Sequence, residues 1–235
     1  MSSTPDPGLD ERLARVLDRI RSAELRYGRT GGSVGLLAVS KTQPATAVRA
    51  LAALGQSAFG ENYLQEALDK RSELADLPLA WHFIGPVQSN KTRRLAEAFD
   101  WVHAVDRLKI AERLSAQRPA PLPPLSVCIE VNVDGEASKS GVTPAALPEL
   151  AHAVAALPNL RLRGLMAIPA PAADFDAQRR PHARLRQAFE ALQHDGLALD
   201  TLSIGMSDDL EAAIAEGATL VRIGTAIFGP RRAPA

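Results

Sequence analysis

Leu36-Leu37-Ala38-Val39-Ser40-Lys41-Thr42-Gln43-Pro44 is an apolar run that stops at one lysine. Residues 36–40 are small or apolar enough for a strand buried on both faces, and Pro44 fits only the first turn of a following helix. Lys41 therefore falls at the carboxyl end of a buried strand, where barrel and open α/β enzymes keep their chemistry. Two readings follow. One is a loop lysine that snorkels to water; the other is a lysine whose pKa is lowered by burial, so that its free amine forms a Schiff base with an aldehyde.

The rhythm of that stretch repeats along the chain. Short apolar runs at 34–39, 57–60, 81–84, 101–105, 125–131, 162–167, 201–204 and 220–223 alternate with helical periodicity at 45–54, 63–74, 91–99, 108–117, 145–157, 175–194 and 208–216. Eight strands joined by seven helical crossovers predict parallel βα units closing into a single TIM-type (β/α)8 barrel, with a nine-strand open sheet as the alternative. An amphipathic helix from Leu9, apolar at Leu13, Val16, Leu17, Ile20 and Leu25, precedes the first strand as an extra N-terminal element and ends near Gly28. Residues 168–181 read as a long, proline-bearing loop after the sixth strand, of the kind that can act as a lid. The expected layout is a disordered tail at 1–8, one barrel domain at 9–231, and a short tail at 232–235.

Composition removes several classes of function. Lys plus Arg and Asp plus Glu are 27 each in 235 residues, so no global field draws nucleic acid or an anionic membrane surface. No apolar run reaches the roughly 18 residues of a membrane span, and residues 1–7 lack the basic-then-apolar order of a signal peptide. The single cysteine, Cys128, lies in the apolar run at 125–129 and reads as a core residue in a reducing compartment. A cytoplasmic protein is expected. His82, His103, His152, His182 and His194 are scattered without ligand spacing, so no metal site is expected either.

In a barrel, the strand ends share one mouth. The last two ends carry glycines, and phosphates often bind between the loops after strands seven and eight. Ser207, in Gly205-Met206-Ser207, is expected to cap a helix from Asp208 and turn its first amides to the mouth, while Gly224-Thr225 supplies a small residue and a hydroxyl opposite. As a bland alternative, Ser207 is only a cap and Gly224 only a turn. Arg222 lies inside the run at 220–223, where a guanidinium needs an acceptor: Glu130 or Glu61 within the protein, or a ligand. An aldehyde-trapping lysine, a phosphate cradle and an arginine in one mouth together describe pyridoxal 5'-phosphate (PLP), with Arg222 donating to the ring nitrogen.

The motifs Val39-Ser40-Lys41-Thr42, Phe59-Gly60-Glu61-Asn62-Tyr63, Trp81-His82-Phe83-Ile84-Gly85-Pro86, Ser203-Ile204-Gly205-Met206-Ser207 and Val221-Arg222-Ile223-Gly224-Thr225 closely resemble the pyridoxal phosphate homeostasis protein family. The resemblance covers residues 9 to 231, and that family is similar to the N-terminal barrel of alanine racemase. It implies Lys41 as the Schiff-base lysine, Ser207, Gly224 and Thr225 at the phosphate, Arg222 at the pyridine nitrogen, and Asn62 beside the cofactor.

An arginine at that nitrogen cannot accept a proton, so the ring is a weak electron sink and transamination is disfavoured. Racemisation needs a second acid or base. Alanine racemase takes a tyrosine from a further C-terminal domain, whereas this sequence stops at Ala235 and holds only Tyr27 and Tyr63. The leading expectation is a monomeric, non-enzymatic PLP carrier that buffers the aldehyde and passes it to PLP-dependent apoenzymes. The alternatives are an amino-acid racemase with an unconventional base and a barrel for some other phosphorylated metabolite. Lys139, in the loop after the fifth strand, is either a solvated lysine or a participant in cofactor transfer.

Overall fold

The computed structural model describes residues 8–136 and 139–229, and it closes the eight apolar runs into a parallel barrel in chain order. The strands are β1 (Gly35–Val39), β2 (Ala58–Glu61), β3 (Ala80–Phe83), β4 (Trp101–Val105), β5 (Leu125–Glu130), β6 (Leu160–Met166), β7 (Thr201–Ser203) and β8 (Leu220–Ile223). Closure is made by β1 on β8, with Leu37 opposite Arg222 and Ala38 opposite Ile223. The open-sheet alternative is thereby excluded.

Helices wrap the outside: α1 (Leu9–Arg26), α2 (Ala45–Ala53), α3 (Leu64–Glu73), α4 (Thr92–Ala98), α5 (Leu108–Gln117), α6 (Leu147–Ala155), α7 (Phe175–His194), α8 (Leu210–Ala215) and a last turn, α9 (Thr225–Phe228). None among the described residues is long and apolar enough to cross a membrane. The expected tails, Gly8 apart, lie outside the described residues, as do positions 230 and 231 of the expected barrel domain.

Strand alternation sorts each residue to one of two cores. Leu36, Ala38, Phe59, Trp81 and Phe83 join the apolar layer between strands and helices. Their neighbours turn inward. A Cβ on Gly60 would lie 3.2 Å from both Leu37 and Ile84, so glycine there lets those side chains meet inside the barrel. Followed two residues at a time, Leu37 and Val39 point Lys41 at the mouth, and Gly60 does the same for Asn62.

The N-terminal helix is fastened at both ends. Near its C-terminus the buried Glu24 carboxylate accepts from Gly32 N (3.0 Å), Ser33 Oγ (3.2 Å) and Val34 N (2.8 Å), which fixes the glycine-bearing link into β1. Burial works against the charge, and those donors outweigh it, holding the carboxyl below its usual value. Along its length α1 packs on α8 and α9, with Arg12 Nε donating to Ile227 O at 2.6 Å.

Three expectations are corrected. Residues 175–181 are not loop: α7 starts at Phe175 with Asp174 capping Ala177 N at 2.8 Å, so the connection after β6 ends there. Pro181 lies inside this helix, which continues through it to His194. Pro44 stands at the N-cap position of α2, one residue earlier than its expected place in the first turn. Gly224 and Thr225 do not form an open loop but start α9.

Candidate functional site

A cavity of about 270 Å³ opens at the carboxyl ends of the strands, and Lys41, Asn62, Ser207, Arg222, Gly224 and Thr225 all line it. Val39, Ile84, Ile168, Met206 and Phe228 complete much of its apolar wall. Lys139 lies elsewhere, on a second cavity of about 550 Å³ that shares Asn62, Ile84, Ile168 and Met206 with the first.

Lys41 is half-buried on a turn closed by Gln43 N donating to Ser40 O at 3.0 Å. Its neighbour Thr42 takes φ 64°, a left-handed conformation that a β-branched residue rarely adopts and that surrounding contacts must hold. Those contacts come from a buried ionic cluster on the helix side of β2. Lys70, 4% exposed on α3, donates to Ser40 O (2.7 Å), Glu61 Oε1 (2.7 Å) and Glu66 Oε1 (2.6 Å). Ser40 Oγ also donates to Glu61 Oε1 at 2.6 Å, and Thr42 N donates to Glu66. The strand end and the turn that carry Lys41 are thus tied at three points. Glu61 is fully buried, and its Oε2 has no partner; burial pushes its carboxyl up, against the pull of Lys70 and Ser40.

Asn62 sits across the opening. It lines both cavities, and its Oδ1 is buried without a hydrogen-bond partner. Gly85 lets the backbone pass close by: a Cβ there would fall 2.5 Å from Asn62 O.

Arg222 is buried, and neither carboxylate expected for it is its partner. Nη2 donates to Ala167 O at 2.8 Å, while Nη1 donates to Ser203 O and, at 3.0 Å, to Ser203 Oγ. Glu61 is turned outward to Lys70, and Glu130 makes no ion pair among the described residues. Burial brings the guanidinium down to about 10, with Asp209, Cys128 and Glu130 pulling the other way, so it stays charged at neutral pH.

Behind Arg222 two histidines that look scattered in sequence meet. Ser203 Oγ lies 2.9 Å from His103 Nδ1, and His103 Nε2 lies 2.9 Å from His82 Nδ1. His82 in turn stacks on Trp101 with centroids 5.2 Å apart. Burial holds His82 down to about 3, and His103 lies well below its ordinary value through burial, His82 and Arg222. Both rings are neutral at pH 7, and one set of tautomers lets each group donate to the next. Among the described residues, no three or more His, Cys, Asp or Glu side chains cluster as metal ligands.

The loop after β7 departs from its expected form. α8 begins at Leu210, with Asp209 in the cap position, so Ser207 is not the helix cap. The reason is Asp209, whose Oδ1 accepts Met206 N at 2.6 Å and whose Oδ2 meets His182 Nε2 at 3.0 Å, drawing the chain into a turn before the helix. Gly205 makes the turn possible at φ 93°. Ser207 instead links the two loops: its Oγ accepts Ala226 N at 3.4 Å, and its carbonyl accepts Arg19 Nη2 at 3.0 Å from α1.

Lys139 donates to Asp134 at 2.6 Å and lies 3.4 Å from Glu136. Burial opposes its charge, but these carboxylates raise its pKa, so it is a cation and not a nucleophilic amine. Residues 137 and 138 of the same loop lie outside the described residues.

A barrel of this topology with such a mouth defines a class, and the comparison with known families agrees. The sequence model described as "Alanine racemase, N-terminal domain" matches residues 13–232. Within that class the chain belongs to the pyridoxal phosphate homeostasis protein family. It is 68% identical over 221 residues to the protein of that name from Pseudomonas aeruginosa, covering 94% of this chain and 95% of the relative. It is 56% identical over 222 residues to that of Escherichia coli K12, with 93% and 95% covered. Among solved structures, PipY of Synechococcus elongatus with PLP bound superposes with a TM-score of 0.81 at 39% identity, covering 94% of this chain and all of that one.

Two outcomes follow from the site's supports. Lys70→Met leaves Glu61 buried without its cation, and urea unfolding should show a loss of about 3–5 kcal/mol, part of which returns when Glu61 is also made apolar; equal losses for the single and double variants would contradict this. The histidine pair predicts a pH effect of fixed sign. Each ring titrates near 6.5 in the unfolded chain but lower in the fold, so the unfolded chain binds more protons and stability falls as pH drops below about 6.5. Between pH 7.5 and 5, His82→Phe should flatten that fall in the denaturation midpoint; a parallel curve would remove the histidines as its cause.

Proposed function

We propose that this protein holds PLP covalently and reversibly through Lys41 and serves intracellular PLP homeostasis by buffering and delivering the cofactor, with little or no catalysis. The observation that carries this reading is the single cavity lined by Lys41, Asn62, Ser207, Arg222, Gly224 and Thr225. The relatives' name and the PLP bound to PipY support it.

The residues present suit that group. The Lys41 amine condenses with an aldehyde carbon, releasing one water, and hydrolysis reverses the link. Ser207, Gly224 and Thr225 hold the phosphate between the loop after β7 and the start of α9, which already touch through Ser207 and Ala226. Gly224 packs close on β1, where a Cβ would lie 3.0 Å from Val39 O, so glycine lets the end of β8 approach that strand. Asn62 lines the same cavity and stands beside the ring. Arg222, pinned by two carbonyls and a hydroxyl, presents only donors, so a ring nitrogen facing it stays unprotonated. Bound here, PLP supplies a reactive aldehyde on a ring that withdraws electrons weakly.

Low catalysis fits the rest of the mouth. Neither Tyr27 nor Tyr63 lines either cavity: Tyr27 stacks on Phe175 with centroids 6.0 Å apart, and Tyr63 is exposed. Lys139, a cation on the adjoining cavity, takes part in handing the phosphorylated cofactor on. We further assign the protein to the cytoplasm as a monomer that supplies PLP-dependent apoenzymes; its one cysteine, buried and pushed up to about 12 by that burial, needs no oxidising compartment.

The visible spectrum tests the reading. Protein given PLP should show a Lys41-dependent absorbance band that Lys41→Ala lacks, and incubation with L-alanine in deuterated water should leave the α-proton in place. An unchanged band in Lys41→Ala would overturn the covalent role, and steady loss of the α-proton would make the protein a racemase.

A further inference from the structure

Two side chains four residues apart on α7, and so on one face of it, reach the loop after β7. Gln178 Nε2 donates to Asp208 O at 3.3 Å, and His182 Nε2 lies 3.0 Å from Asp209 Oδ2. Met206, Ser207 and Asp208 line the cavity that holds Lys41, while Asp209 lines neither cavity. α7 therefore backs the wall that carries Ser207, one of the proposed phosphate contacts.

His182 is the less ordinary of the two. Its side chain is fully buried, its Nδ1 has no hydrogen-bond partner, and the bond to Asp209 is the one use of its polarity among the described residues. Burying an imidazole is unfavourable unless its nitrogens are bonded, so an apolar side chain would serve packing alone better. A carboxylate only accepts, which puts the shared hydrogen on Nε2. Burial works against the Asp209 charge, and the bonds from His182 and Met206 outweigh it, holding the carboxyl below its usual value. The loop proposed to receive an anion thus carries one of its own.

Where that charge points decides what the wall can bind. Held as it is, Asp209 has Oδ2 on His182 and Oδ1 on Met206 N at 2.6 Å, so both oxygens are engaged outside the cavity. The start of the loop is fixed by other means: Gly205 O accepts Arg222 N at 2.9 Å, and a Cβ on Gly205 would fall 2.6 Å from that of Ala213. The remaining freedom lies in residues 206–209. Without His182 the carboxylate can turn toward the cavity, where repulsion opposes a phosphate and leaves an uncharged hydroxyl untouched. We propose that His182 is a positioning residue which, through Asp209, makes the cavity select a phosphorylated aldehyde over the same aldehyde carrying a free hydroxyl. This rests on the reading of Ser207, Gly224 and Thr225 as phosphate contacts, and it adds the group that keeps a competing anion out of their way.

Titration of the full chain with PLP and with pyridoxal, followed by visible absorbance, reads the selectivity as a ratio of affinities. The unaltered protein should favour PLP by about tenfold or more. His182→Leu should cut that ratio about fivefold by weakening PLP alone, and His182→Gln, whose amide N–H can still reach Asp209, should restore most of it. Equal weakening of both ligands marks a merely structural role and overturns the proposal, as does a ratio that His182→Leu leaves unchanged or that His182→Gln does not restore. The ratio does not depend on how the aldehyde is held, so a band that survives Lys41→Ala would end the covalent reading and leave this one standing. Should neither aldehyde bind, the cofactor reading fails, and calorimetric titration with inorganic phosphate decides: binding that His182→Leu weakens supports the proposal, and binding that it leaves unchanged, or none, overturns it. Should His182→Leu fail to fold, NMR of the unaltered protein with 15N-labelled histidine decides: PLP must shift the His182 Nε2 resonance more than pyridoxal does, and equal shifts overturn the proposal.

Discussion

The position of Lys41 depends on a buried ion pair one layer behind it. Lys70 and Glu61 meet at 2.7 Å, almost out of reach of water, and Ser40 bonds to both of them from the end of β1. A pair so buried contributes little net stability, because the desolvation of two ions offsets much of their attraction. What it does supply is position. A lysine on a mobile loop would sample many rotamers, whereas a turn tied to β2 and α3 by directional bonds holds its amine over one cavity. The left-handed Thr42 fits the same view: contacts on either side hold a conformation that the residue alone would avoid.

The opposite wall is held by other means. Arg222 is satisfied by carbonyl and hydroxyl oxygens instead of a carboxylate, so its charge is not cancelled before a ligand arrives. The neutral chain of Ser203, His103 and His82 fills the barrel interior behind it with groups that bond without adding charge. His182, through Asp209, and Arg19 then fix the loop after β7 from two outer helices, α7 and α1. The extra N-terminal helix thus reaches the mouth and is more than an outer cover.

Much of this was legible in the sequence. All eight strands fall on the apolar runs because a parallel barrel strand is buried on both faces and shows as an uninterrupted stretch. Lys41, Ser207, Arg222, Gly224 and Thr225 were legible at the mouth because each strand ends where its apolar run ends, and Asn62 through the family resemblance. What escaped were contacts between residues far apart in the chain. Lys70 lies in Asp69-Lys70-Arg71, a charged helical run with no mark of burial, and only the packing of α3 on β2 reveals its partners. His82 and His103 carry no shared spacing because neighbouring strands, not neighbouring residues, bring them together. Ser207 misled because a serine before a helix usually caps it, and the competing bond from Asp209 to Met206 depends on how the loop closes in space. The loop read over 168–181 overlapped the helical periodicity read over 175–194, and the periodicity, not the proline, marked where the helix begins.

The central claim is that Lys41, and no other lysine, forms the reversible link to the cofactor. Borohydride reduction of PLP-loaded protein, followed by proteolysis and mass spectrometry, reads the attachment point directly. The account predicts one modified peptide, the one containing Lys41. A label on Lys70, Lys91 or Lys139 in its place, or no label at all, would contradict it.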